Sequence, residues 1–538
     1  MNLYEYLVRQ VNTRPGQQAI IDYTGGRCRH WQFAELDRAA AGIASMLHRQ
    51  GLVKGDGILI AHPVSAELYI IVLACFRLGL VAVLPDPHAG WRQFERCCAM
   101  YPIKGFIGSP RAHLLRLLSP AIRKIPHKYS VGKHVPGATR LLPTQHTDVI
   151  RPVTHCHPQN PALITFTSGS TGVPKAAVRS HGFLQAQHNA VTCNLPLPVG
   201  SVDLSLFPVF VLASLASGNT CLLPDVDYKR PGRIDPSQVF EVIRAHPPDQ
   251  IAASPAVLER LVDYAKQNQI LIDGPLRICS GGAPVFPVLL ENLAVIFPEA
   301  EIVTVYGSTE AEPIAKTSAS TLQNADIQAM RAGKGLLVGK PVPEIELRII
   351  SDGSEIIPDH ISLEELDRLT QDVGNVGEII VSGDHVLKRY LKGEGDSETK
   401  LHVDQQVWHR TGDAGYLDEG GRLWLLGRCQ AKVKDRHGTV YPFAIETAVR
   451  QEPEVIRAAF ARVNDKRVIA LQARQGHSRK LASKILDRLL WAHIDEICFV
   501  SSIPVDPRHN AKIDYRALNK LLQAKIRNSS MKIAQEGC

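Results

Sequence analysis

Short apolar runs alternate with helix-like patterns along most of this chain, and few architectures accept that order. Gly57–Ala61, Val81–Leu84, Pro161–Phe166, Gln250–Ala253 and Leu276–Cys279 each read as a buried strand of four to six residues. Glu67–Leu78, His181–Ala190 and Ala256–Ala265 read as helices set between strands. A strand that returns through a helix lies parallel to its predecessor, and the helices cover the sheet. The expected fold class is therefore α/β, built on largely parallel sheets. With 538 residues the chain is too long for one compact domain and suits two to four units. Beyond Gly427-Arg428 the elements shorten to Glu454–Val463, Val468–Ala473 and Arg479–Trp491, which reads as a small C-terminal α+β domain. Three polar, turn-rich segments punctuate the rest: Thr144–Asn160, Ser318–Gly335, expected to be mobile, and the acidic Ser351–Gly374. The polar tail Gln523–Cys538 is expected to fray.

Composition excludes several classes. Hydrophobic residues make up 45% and charged residues 21%, as in an ordinary soluble protein. The longest apolar stretch, Leu68–Leu84, is broken by Arg77 and is no membrane span, and the first residues lack the layout of a signal peptide. Eleven cysteines are scattered without metal or disulfide spacing, so reduced thiols and a cytoplasmic location are expected. The net charge of +8 is uneven: nine Lys/Arg and one acidic residue, Asp148, lie between Tyr101 and Asn160. Two readings stand, a solvated surface or a patch that attracts an anionic substrate or makes peripheral contact with a membrane. Without zinc-finger spacing or an RNA-binding aromatic motif, nucleic acid is not an expected partner.

The strongest local signal is Thr167-Ser168-Gly169-Ser170-Thr171-Gly172-Val173-Pro174-Lys175, after the strand Pro161–Phe166. Glycines let the backbone approach a polyphosphate, the hydroxyls of Thr167, Ser168, Ser170 and Thr171 add donors, and Lys175 adds a positive charge. It is not the GxxxxGK[ST] loop, because its lysine follows a proline and no Ser/Thr comes after. Tyr306-Gly307-Ser308-Thr309-Glu310 reads as a strand-end turn with an aromatic for stacking and a carboxylate for Mg²⁺. Asp413, in Trp408-His409-Arg410-Thr411-Gly412-Asp413, reads as a carboxylate at a turn, suited to a ribose diol. Taken singly, the last two are also ordinary turns.

These pieces occur in order, and together they resemble the adenylate-forming superfamily of acyl-CoA synthetases, carrier-protein adenylation domains and luciferases. TSGSTGVPK looks like its phosphate loop, Gly281-Gly282-Ala283 like its adenine-pocket strand end, and YGSTE like its adenine and Mg²⁺ motif. Gly377-Glu378-Ile379, Thr411-Gly412-Asp413 and Pro507–Asp514, which holds Lys512, look like later motifs. The resemblance covers about residues 15 to 520. It implies a large N-terminal domain of αβα layers with a β-barrel-like subdomain, residues 1–428, and a mobile C-terminal domain, residues 429–538. It further implies ATP and Mg²⁺ as cofactors and a small carboxylic acid as substrate. Lys512 would be catalytic, Glu310 would hold the metal, and Asp413 with Arg428 would bind the ribose. Thr167, Ser168, Gly169, Ser170, Thr171, Gly172, Lys175, Gly281, Gly282, Ala283, Tyr306, Gly307 and Thr309 would complete the ATP site. The reaction would be in-line attack of the carboxylate on the α-phosphate, expelling pyrophosphate. A regulator that keeps the fold without turnover is disfavoured, because Lys175, Glu310, Asp413, Arg428 and Lys512 are all present.

The departures from that pattern are informative. Thioester-forming members carry a hinge charge where this chain has Gln430, and a tunnel glycine where it has His437. The usual glycine before the catalytic lysine is Ala511, and the substrate motif reads Phe207-Pro208-Val209-Phe210. HGTVY, RHNAKI, WHRTGD, FPVF, YGSTEAEP and Phe106–Leu118 resemble the β-lactone synthetase branch of bacterial olefin biosynthesis. That branch implies a long-chain 3-hydroxy acid whose own hydroxyl displaces AMP. The alternative is transfer to CoA or to a carrier protein, which would be a separate chain, as would other pathway enzymes. His409 and His437 are candidate bases by residue type alone.

Overall fold

The computed structural model describes residues 1–86, 91–142, 152–168, 174–275, 277–352, 358–474, 476, 478–506 and 512–536. Side-chain alternation along the strands generates its layers. On Gln18–Asp22, Ile20 joins a core shared with Phe33–Arg49 and Ala66–Leu78, while Ile21 joins Val239, Phe240 and Leu258 on the opposite face. On Gly57–Ala61, Ile58 and Ile60 enter that same central core, and Leu59 joins Phe94, Cys97 and Ile122. Two sheets thus share one helical layer, and each has another helical layer outside. The helix Ala66–Leu78 buries twelve of its thirteen residues because both its sides face a sheet. Arg77 sits within it with its guanidinium 3.0 Å from Asp37 Oδ1 and 4.9 Å over the Tyr4 ring. No helix among the described residues is long and apolar enough to cross a membrane.

The smaller sheet runs Thr139–Leu141, His127–Val131, Ile103–Gly108, Gly57–Ala61, Val81–Leu84, Pro161–Ser168 and Pro174–Ser180. All its neighbours are parallel except the last pair. In the larger sheet Gln18–Asp22, Thr220–Leu223, Val202–Ser205, Gln250–Ala253, Arg277–Gly281 and Glu301–Ser308 are parallel. Beyond Glu301–Ser308 pairing turns antiparallel, through Ala311–Ser318 and Leu336–Pro341 to Leu423–Arg428, Gln406–Leu417, Gly377–Ser382 and Glu346–Ile350. Both sheets therefore end their parallel run in an antiparallel hairpin, and the candidate site lies at those hairpins.

The polar, turn-rich segment Ser318–Gly335 holds the helix Asn324–Arg331, whose Met330 is buried. Asp326 anchors it through Arg422, 2.9 Å away, a partner no local pattern could announce. The acidic segment carries the helix Leu363–Leu369, started by a capping box between Ser362 and Glu365.

A separate small unit follows. Its three-stranded sheet, Val455–Val463, Lys466–Ala473 and Glu496–Phe499, packs with Pro442–Val449 and Arg479–Arg488, and on its other face with Leu518 and Leu522 of Tyr515–Glu536. Arg467 is its buried fastener. It donates from Nε and Nη2 to both Asp435 oxygens at 2.7 and 2.6 Å, and from Nη1 and Nη2 to the carbonyls of Ala492 and Gly438. This holds the Asp435 carboxyl down at about 2, chiefly through the arginine's hydrogen bonds. A depressed carboxyl stabilises the fold above its ordinary value and loses that effect as pH falls through its folded value. Arg467→Met should lower the unfolding midpoint by several degrees at neutral pH. The deficit should narrow as pH falls from about 4 toward 2, and an unchanged neutral-pH midpoint in thermal melts would remove Arg467 from this role.

Candidate active site

The strand Glu301–Ser308 turns at Thr309-Glu310 and returns as Ala311–Ser318. That turn half-buries Glu310. The Tyr390 hydroxyl donates to Oε1 at 2.6 Å, and Leu387 N–H donates to the Glu310 carbonyl at 2.7 Å. Burial works to raise this carboxyl, but nearby His409, the Tyr390 hydrogen bond and Lys400 outweigh it and hold it at about 2. Burial brings the Lys400 ammonium down to about 7 against the pull of Glu310, and it pushes His409 down to about 3 with Lys400 adding to the effect. His409 is therefore uncharged at neutral pH, leaving Lys400 and the Tyr390 hydroxyl to stabilise the Glu310 anion.

On the smaller sheet, Thr167 and Ser168 pair in register with Lys175 and Pro174. Gly169, Ser170, Thr171 and Gly172 lie outside the described residues. Lys175 is buried, 2.8 Å from Glu398 Oε2 and 5.6 Å from the centre of the Tyr390 ring. Gly395 is required beside it, since a Cβ there would fall 2.5 Å from Lys175 Cε, and its φ is +99°. Alternation carries Lys175, Ala177 and Arg179 to one face of Pro174–Ser180, with Ala177 packed against Tyr390. Arg179 is buried and donates from Nη2 to the Thr309 carbonyl at 3.3 Å, while its Nε and Nη1 have no hydrogen-bond partner among the described residues. Sequence reading missed Arg179, although period-two counting from Lys175 would have found it.

Asp413 does not sit at a turn as expected. It lies inside the long strand Gln406–Leu417, beside a register shift at Ala414/Gly415 and directly across from Arg428. The strand bends there because Gly412 adopts φ +70° and donates its N–H to Glu378. Tyr306 donates its hydroxyl to Asp413 Oδ2 at 2.9 Å, and Arg428 Nε lies 3.3 Å from Oδ1. Each carboxylate oxygen keeps a second lone-pair site for a diol. Gly281 and Gly282 end the neighbouring strand before Ala283; a Cβ on Gly281 would meet the Val305 carbonyl at 2.6 Å. Gly307 is likewise closed in by the Ala311 carbonyl and Glu312.

Lys512 comes from the C-terminal unit. Its carbonyl accepts from Asp506 N–H at 2.8 Å, and Val505 bridges Ile513 across that loop. Its ammonium acts on the carboxyl of Glu312, two residues past Glu310. Burial pushes Glu312 up to about 7, opposed by Arg179 and Lys512. The cleft thus gathers Lys175, Arg179, Lys400 and Lys512 around the three carboxyl groups of Glu310, Glu312 and Glu398, of which burial pushes Glu312 toward neutrality. His409 is walled in by Lys400 and the Thr399 carbonyl, whereas His437 stacks on His493 at 4.5 Å on the hairpin that Arg467 fastens. Tyr390, Lys400 and Glu398 carried no motif signal.

Beneath the layer an apolar cavity opens between Tyr4–Thr13, Ala66–Leu78, His181–Asn194 and Phe210–Ala216, lined by Leu73, Phe76, Leu184, Val191, Phe210 and Leu212.

Residues 7–391 match the model of the AMP-binding enzyme family. The chain is 30% identical to an olefin beta-lactone synthetase of Xanthomonas campestris pv. campestris, over 95% of this chain and 96% of that one. It is also 30% identical to an olefin beta-lactone synthetase of Stenotrophomonas maltophilia, over 89% of each chain. The structure of the O-succinylbenzoate coenzyme A synthetase from Bacillus subtilis, in complex with ATP and magnesium ion, superposes with a TM-score of 0.74 at 22% identity, covering 96% of this chain and 98% of that one. The chain belongs to the AMP-binding enzyme family. It is an AMP-forming ligase that uses ATP to activate an acid as its adenylate, and over nearly its full length it is similar to the olefin beta-lactone synthetases.

Proposed function

We propose that this enzyme adenylates a long-chain 3-hydroxy acid and closes it to a β-lactone, releasing AMP. The end-to-end similarity to olefin beta-lactone synthetases carries this reading. Residues 1–428 form the body that holds the nucleotide, and residues 429–538 form a mobile domain that brings Lys512. Asp413 and Arg428 take the ribose, the strand end at Gly281, Gly282 and Ala283 with Tyr306 takes the adenine, and the loop from Thr167 to Lys175 takes the phosphates. Glu310 fits a magnesium ion, being an ionised oxygen donor in a half-buried setting. A magnesium ion held there supplies charge against the triphosphate.

The substrate carboxylate attacks the α-phosphorus in line. A P–O bond forms to the acid, and the bond to pyrophosphate breaks. Lys512 offsets the charge that develops, together with Arg179, whose Nε and Nη1 have no hydrogen-bond partner among the described residues. In the second step the 3-hydroxyl oxygen bonds to the acyl carbon, the acyl–phosphate ester bond breaks, AMP leaves with the electron pair, and the hydroxyl proton passes to solvent. Tethering makes this competitive, because the hydroxyl's effective concentration exceeds that of any free thiol. The cavity lined by Leu73, Phe76 and Phe210 suits an alkyl chain. The free thiols suit a cytoplasmic setting.

The substrate's chemistry also gives the basic region a role, contact with an anionic membrane. Leu114, Leu117 and Leu118 are 62%, 73% and 66% exposed, beside exposed Arg111, Arg123 and Lys124. Eight Lys/Arg and no Asp/Glu lie between Tyr101 and Leu142. Each cation near such a surface is worth about 1 kcal/mol, and the leucines add apolar burial.

Three outcomes are expected. Lys512→Ala should cut ATP–pyrophosphate exchange by orders of magnitude with ATP affinity changed only a few-fold, since Lys512 acts on the transition state; wild-type exchange would remove it from the mechanism. In flotation assays the protein should rise with phosphatidylglycerol vesicles at low salt and less at high salt; no flotation at either would leave a solvated surface. Mass spectrometry of reactions with a long-chain 3-hydroxy acid and ATP, without CoA, should show AMP and a product lighter than the acid by one water. Acyl-CoA formed from simple fatty acids, with no lactone from the hydroxy acid, would replace this reading with a CoA ligase.

A further inference from the structure

The far edge of the larger sheet carries a cluster that the adenylation chemistry does not use. Cys28 lies in the loop after Gln18–Asp22, and His30 lies on the edge strand Arg29–Gln32. Two apart along extended chain, their side chains leave the same face. Cys28 Sγ and His30 Nε2 are 3.4 Å apart. His246 ends the helix Pro236–Ala245, more than two hundred residues on, and turns its ring toward the same point, 5.8 Å from the His30 ring centre at 67°. One donor atom from each of the three lies within 4.8 Å of the others. Tyr23 flanks His246, its ring centre 5.9 Å away.

That donor set has a definite chemistry. One thiolate and two imidazoles are ligands for a borderline-soft ion such as zinc, and poor ligands for magnesium or calcium. With Zn–S near 2.3 Å and Zn–N near 2.0 to 2.1 Å, tetrahedral donors stand about 3.3 to 3.6 Å apart. The Cys28–His30 pair already has that spacing, and the His246 donor lies within 4.8 Å of both. The edge strand is six strands from Glu301–Ser308, roughly 30 Å at normal strand spacing, so the cluster is distinct from the cleft.

We propose that Cys28, His30 and His246 form a zinc-binding site with three protein ligands and water in the fourth position. Binding would release the Cys28 thiol proton to solvent and tie the edge hairpin to the end of Pro236–Ala245. The cysteines have no metal-ligand spacing among themselves, and the two histidines supply the remaining donors.

The full-length protein, stripped with chelator, should bind one equivalent of Zn²⁺ by calorimetry, and Co²⁺ in its place should give a thiolate-to-cobalt charge-transfer band. Cys28→Ser should abolish the band, and Cys28→Ser and His246→Ala should each weaken Zn²⁺ binding at least about 100-fold, as loss of one of three protein ligands demands. ATP–pyrophosphate exchange should be unchanged in both, which also reports that they fold. Zn²⁺ binding by the double variant as tight as by wild type would overturn the site, because other thiols and imidazoles would then account for it. A Co²⁺ band that survives Cys28→Ser, or no Zn²⁺ bound by wild type, would overturn it equally.

Discussion

One half-buried anion organises the cleft. The Glu310 carboxylate is reached by Tyr390 directly and lies in the field of Lys400, and through the Tyr390 ring it is linked to Lys175 on the other sheet. Burying a charge is costly unless it is compensated, so these separate stretches of chain must meet for the turn to exist. The same constraint explains why both sheets end in antiparallel hairpins there. A parallel run would carry the chain away through a crossover, whereas a hairpin leaves a turn facing the opposite sheet.

Around that anion the electrostatics are graded. Lys400 is pushed toward neutrality by burial, whereas Lys175 pairs with Glu398. Arg179 retains two donors without a partner among the described residues, and Glu312 is pushed up toward neutrality beside Lys512. Such a cleft is costly without an anionic reactant and suited to one that carries phosphates and a carboxylate. Asp413, Tyr306 and Arg428 stand apart as a set joined by a hydrogen bond and an ion pair.

Much of this was legible in the sequence, and the reasons are local. Gln250–Ala253 and Val81–Leu84 form strands with the expected bounds because an apolar run between helices has one way to be buried. Lys175, Glu310, Asp413, Arg428 and Lys512 stand out as parts of motifs in order. What stayed hidden depends on distant partners. Tyr390 and Lys400 sit in unremarkable sequence and gain meaning only from Glu310 across the fold. Asp413 was assigned to a turn because Thr-Gly-Asp looks like one, whereas pairing with Arg428 keeps it in a strand. The helix Asn324–Arg331 stays hidden within the polar segment Ser318–Gly335 because its anchor, Arg422, lies far along the chain.

The central helix Ala66–Leu78 has a thermodynamic consequence. Its residues complete the cores of both sheets at once, so neither sheet has a finished hydrophobic face until that helix is in place. The two sheets therefore cannot melt as independent subdomains. Opening one exposes the helix that the other also needs, which links them into a single cooperative unit despite their separate hydrogen-bond ladders. The small C-terminal unit closes its cores around Phe460 and Val468 with its own residues, and stands outside that linkage.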